Sequence, residues 1–120
     1  MHLKLLSLIL IAVVALEHVG FLVLEMFLWD GPVGKTVFRL SSMAAAATKP
    51  LAANMGLYNG FLAAGLIWSL IDDRMDLKLF FLSCVAVAGV FGALTVSRRI
   101  ALVQALPAAL AIAAVFAAAA

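Results

Sequence analysis

Glu17, His18 and Glu25 fall inside an apolar run from Leu5 to Trp29, so two carboxyls and an imidazole stand where a membrane would surround them. At about 1.5 Å of rise per residue, roughly 25 helical residues cross a hydrocarbon core of about 30 Å. An acidic side chain near the centre of such a span costs roughly 2.5 to 3.5 kcal/mol, and it normally faces a partner, a cavity or a bundle interior. A carboxyl and an imidazole supply a proton donor and acceptor, which makes Glu17 and His18 the candidate catalytic residues. Adjacent residues on a helix do not face each other, so each needs a separate partner on another element. A structural Glu17/His18 pair with no chemistry is the competing reading. His18 and Glu25 are one heptad apart, about 20° on a helical wheel, and Glu17 is about 80° from Glu25. His18 and Glu25 are also about 10.5 Å apart along the helix, too far to share one ion. No metal site and no cofactor are expected.

Partners for these residues must come from other apolar stretches. Further runs extend over about 51–71, 77–96 and 100–119, each bounded by charge or proline and each near the spanning length. The expected fold is an all-α, four-helix transmembrane bundle forming a single domain over residues 1–120. Short links after the second and third spans imply antiparallel hairpins. The longer connection, Asp30 to Pro50, opens with Asp30-Gly31-Pro32 and then places Val33, Val37, Leu40, Ala44 and Ala47 at helical spacing opposite Lys35, Arg39 and Ser42. It reads as a short interfacial amphipathic helix or, equally, as a connector without a lipid role.

Counting inward from that connection, Glu25 is about one turn deep, with Glu17 and His18 about three; on the second span Asn54 is about one turn deep, Tyr58 and Asn59 about two. Gln104 on the fourth span is again about one turn deep. Glu25, Asn54, Tyr58, Asn59 and Gln104 are therefore candidate ligand-binding residues beside Glu17 and His18. Asn54 and Tyr58 are about 40° apart on one face. Asn54, Asn59 and Gln104 also suit interhelical hydrogen bonding alone, and Tyr58 a core position.

Composition agrees with a membrane setting: 68% of residues are hydrophobic and 12% charged, with a mean hydropathy of +1.24. A soluble domain of 120 residues could not bury that much apolar surface. The net charge of +2 comes from Lys and Arg at segment ends, which suits anionic lipid and topology rather than nucleic acid. One cysteine, Cys84, leaves no disulfide framework. Lys4 before an apolar stretch, with Val13-Val14-Ala15, imitates a signal peptide, but the apolar stretch continues to Trp29. Lys35, Arg39, Lys49, Arg98 and Arg99 on one side, against Lys4, Arg74 and Lys78 on the other, favour both termini outside a bacterial inner membrane. Small residues every four positions (Ala52, Gly56, Gly60, Ala64) permit close helix packing or a homo-oligomer face.

Leu16-Glu17-His18, Glu25-Met26-Phe27-Leu28-Trp29 and, above all, the segment from Asn54 to Leu66 resemble the small membrane proteins described as domain of unknown function 1304. The similarity covers essentially the whole chain, with Met55 standing where a polar residue, often Gln, would be expected. The resemblance implies a four-span integral membrane protein and assigns no reaction. The residues themselves suggest a small or lipid-like ligand bound inside the bundle, with isomerase- or epimerase-like acid–base chemistry. The alternatives are proton-coupled small-molecule transport through Glu17 and a non-catalytic packing or partner subunit.

Overall fold

The computed structural model describes residues 1–120 and is all-α. In chain order it contains α1 (His2–Met26), α2 (Pro32–Phe38), α3 (Ser42–Ile71), α4 (Met75–Thr95), a π-helical turn (Ala101–Ala105) and α5 (Leu106–Ala119). Three helical stretches are long and apolar enough to cross a membrane: α1, α4 and the continuous run from Ala101 to Ala119. The expected second span lies in α3, which is long enough at 30 residues but is not one of the three. Asn54, Tyr58 and Asn59 dilute its apolar character.

The connection between α1 and α3 differs from the amphipathic helix expected there. Pro32 sits in the first turn of α2, where its missing N–H is no loss, and the helix ends after seven residues at Arg39 in the left-handed region, φ 55°. That turn divides the expected apolar face: Val33 and Val37 stay on α2, whereas Ala44 and Ala47 belong to α3. Ser41 caps the new helix, its Oγ accepting from the Ala44 N–H at 3.1 Å. The Ala-rich start of α3 then carries the helix through Pro50 instead of beginning after it. Pro50 is exposed, so the carbonyl left without a donor one turn earlier can be hydrated.

At the other end of α3, Asp73 takes the left-handed conformation (φ 49°) and the Arg74 N–H bonds back to the Ser69 carbonyl. This is a Schellman-type stop with aspartate in the position glycine usually holds. The π-turn has a local cause as well. Pro107 has no N–H to offer the preceding turn, and the Leu106 N–H reaches back five residues to Ala101. A Cβ on Gly89 would lie 2.6 Å from the Ala105 backbone nitrogen, so α4 can meet the π-turn this closely only through glycine.

The chain forms two compact units, Met1–Ala15 with Ala64–Ala120, and Leu16–Ala63. In the first, Ile11, Val14, Leu66, Leu82, Val85, Ala108 and Ala111 are buried, together with Lys78 and the serines Ser7 and Ser69. In the second, the buried positions are His18, Glu25, Gly34, Ala45, Ala52, Gly56 and Ala63.

Candidate functional site

Within the second unit, α1 presents His18 and Glu25 on one buried stripe, with exposures of 0% and 4%. The heptad spacing read from the sequence is therefore used as a packing stripe. Opposite it, α3 contributes Gly56, Asn59 and Gly60. A Cβ on Gly56 would lie 2.6 Å from Met26 Cγ and 3.1 Å from Glu25 Cβ, and one on Gly60 would lie 2.6 Å from Leu22 Cδ1. The small-residue ridge thus receives side chains of α1; a side chain at Gly56 would crowd Met26 and Glu25, whereas one at Gly60 would meet mainly the movable end of Leu22. That approach delivers Asn59 to Glu25: the Asn59 Nδ2 donates to Glu25 Oε1 at 2.5 Å.

The α1 end of this unit is fixed separately. Trp29 donates through Nε1 to Thr48 Oγ1 at 3.0 Å and packs on Phe38, their ring centroids 4.7 Å apart. Thr48 in turn donates to the Ala44 carbonyl. Gly34 closes against the backbone of Leu28 and Trp29. Trp29 is thus a strut between the end of α1 and the start of α3, and Thr48 is a polar residue to which the sequence alone assigns no role. Its signal is a lone threonine after four alanines, near the end of the Asp30–Pro50 connection.

The remaining candidates are placed differently from one another. His18 meets Phe21 edge-to-face at 5.1 Å. Glu17 lies beside the stripe, partly exposed, yet its Oε1 is buried and accepts no hydrogen bond. Asn54 and Tyr58 do share a face of α3, as expected, but it is an exposed face, and Tyr58 packs edge-on against Phe61 at 5.6 Å. The angular reason is simple: these residues lie roughly opposite Ala52, Gly56 and Ala63, which are buried. Gln104 belongs to the π-turn of the first unit. Glu25 and Asn59 form a direct side-chain pair across α1 and α3. No group of three or more His, Cys, Asp or Glu residues is arranged to hold a metal.

Among curated proteins, the uncharacterized protein YpaA of Lactococcus lactis subsp. lactis (strain IL1403) is 28% identical over 103 residues, covering 82% of this chain and 87% of that protein. No solved structure matches the chain. A family model described as protein of unknown function (DUF1304) matches residues 12–116, nearly the full length, and the chain belongs to that family.

Proposed function

We infer that this is an integral membrane protein which holds a small polar or lipid-like ligand at the Glu25–Asn59 pair. The observation that carries this reading is the setting of Glu25: 4% exposed, on a packing stripe, and hydrogen-bonded by a neutral amide rather than by a cation. Packing alone would be served better by leucine there, because burying a carboxyl without a counter-charge is costly. A ligand that hydrogen-bonds the carboxyl would repay that cost. In this reading α3 is the second of four spans, and His18 and Glu17 on α1 supply the acid–base groups if the ligand is turned over. Both termini lie outside by the distribution of Lys and Arg.

Native mass spectrometry of protein released from nanodiscs tests the ligand directly. The wild type should retain an adduct that Glu25→Gln and Asn59→Leu both lose. An adduct equally abundant in all three proteins, or none in any, defeats the reading. A second reading, proton-coupled transport, is favoured by one observation: Glu17 Oε1 is buried without a hydrogen-bond donor. A carboxyl that exchanges its proton needs such a loosely held oxygen. It calls for substrate-driven proton release in proteoliposomes, abolished by Glu17→Gln, and release that survives the substitution would end it.

A further inference from the structure

The first unit contains a second polar cluster, at a place where four helix ends meet. Asp73 accepts from Lys4 through Oδ2 at 2.6 Å and from Lys78 through Oδ1 at 2.5 Å. Its left-handed backbone at the end of α3 turns the residue into the space between the first turns of α1 and α4. Lys78 is unusual for a lysine, with a side chain 6% exposed, whereas Lys4 and Asp73 are half-exposed. These three residues line a cavity of about 140 Å³ with Ser7, Met75 and an apolar wall from the end of α5, Val115, Ala118 and Ala119.

Charge is unbalanced in this cavity. Its ionisable lining is two ammoniums against one carboxylate, and both carboxylate oxygens are already engaged. An ammonium has three N–H donors, so each lysine retains two beyond its bond to Asp73. The helix ends do not alter the sign: α1 and α4 begin here while α3 and α5 end here, and their partial charges of about half a unit offset pairwise. Nearby charges are also occupied elsewhere. Arg74 pairs with Asp76 at 2.7 Å, and Asp72 accepts from Trp68 Nε1 at 2.8 Å. Trp68, half-exposed one turn before Asp72, is where an indole would mark the level of lipid headgroups.

We propose that the Lys4–Asp73–Lys78 cavity binds a phosphate-bearing anion, the phosphate seated between the two ammoniums and any attached chain lying along Val115, Ala118 and Ala119. The site goes beyond the Glu25–Asn59 reading and does not depend on it. Lysine is a suitable point-charge ligand for phosphate. The size also fits, since an engineered cavity of about 150 Å³ accommodates a benzene ring. A lipid headgroup and free phosphate share this chemistry, and titration separates them. In a neutral detergent, a Trp29→Phe protein, whose remaining indole is Trp68 beside the cluster, is titrated with dihexanoyl phosphatidylglycerol and, separately, with inorganic phosphate. Saturation with the lipid alone identifies a headgroup site, and saturation with both identifies a site for the anion itself. Lys4→Gln and Lys78→Gln should each weaken binding about tenfold. Lys4 is half-exposed, so Lys4→Gln decides the matter even if Lys78→Gln fails to fold. Absence of saturation with either probe, or equal affinity in Lys4→Gln, overturns the proposal.

Discussion

At Asp73 both carboxylate oxygens meet ammoniums, whereas Glu25 meets the amide of Asn59 and no cation. The first cluster lies at helix ends, half-exposed through Lys4 and Asp73; the second lies on a buried stripe. Charge therefore goes with the half-exposed helix ends, where the buried Lys78 is paired with the half-exposed Asp73, and a neutral donor goes with the buried stripe. A full ion pair in the interior would carry the desolvation cost of two ions, while an amide and a carboxyl carry less and leave the carboxyl able to exchange its partner. The difference separates a site built to hold charge from one built to hold a hydrogen bond.

The largest effects should come from the close approaches that create each setting. Gly56→Leu and Gly89→Leu drive a side chain into Met26 and Glu25 in one unit and into the Ala105 backbone in the other. Each should destabilise by at least the ~1–3 kcal/mol typical of overpacking. Trp29 and Trp68 fall in different units, so single-tryptophan proteins can assign the loss. Gly56→Leu should lower the melting transition reported by Trp29 first, and Gly89→Leu that reported by Trp68. Identical shifts at both indoles for both variants would show that the units unfold as one and would weaken the contrast.

Next in size is the amide. Asn59→Leu leaves the buried Glu25 oxygen without its donor and should cost about 1–3 kcal/mol. Glu25→Gln keeps an acceptor in the same place and should be neutral or stabilising, as expected where a carboxyl is retained against the interest of packing. Chemical denaturation in micelles measures both, and a Glu25→Gln protein as unstable as Asn59→Leu would mean the carboxyl itself is structural.

Much of this was legible in the sequence because it depends on local periodicity. The α1 stripe through His18 and Glu25 follows from heptad spacing, and the close approach at Gly56 and Gly60 from residues without side-chain bulk. The start of α3 was not legible, because a proline usually marks a boundary and Ser41 outcompeted it as a cap. Asn54, Tyr58 and Asn59 are expected beside Glu25 from depth, and the helical wheel adds only that Asn54 and Tyr58 share a face. Depth fixes level but not azimuth, and only Asn59 of that group turns inward. The lysine cluster was missed because Lys4 and Asp73 are 69 residues apart, and charges at span ends read first as topology signals.

Acid separates the clusters without mutation. Hydrogen bonds from Lys4 and then Lys78 hold the Asp73 carboxyl at about 2, against an ordinary value near 3.9. Because the folded value is the lower one, the contribution of this cluster is complete above about pH 4 and fades as pH falls toward about 2. Acid titration of the folded fraction should show that limb in the wild type and lose its largest part in Asp73→Asn, an exchange that tolerates the left-handed backbone, with a smaller remainder from Asp30 and Asp76. A wild-type protein whose stability is flat from pH 4 to 2 would remove the ion cluster from the comparison.

The smallest effect belongs to the ion pair of the second unit, Lys49 with Asp30, 3.0 Å apart with both side chains about half-exposed. Lys49 holds the Asp30 carboxyl below its usual range through the same kind of hydrogen bond that acts on Asp73. Asp30, however, has one ammonium on it where Asp73 has two, and no buried lysine depends on it. Water and salt can replace Lys49 at little cost. Lys49→Gln should therefore change stability less than Asn59→Leu does, and the change should vanish in molar salt. If instead Lys49→Gln lowered the melting transition at Trp29 as far as Asn59→Leu, the pair would be part of the strut that joins α1 to α3. The second unit would then hold charge as firmly as the first, and the contrast between the two would fail at its exposed end.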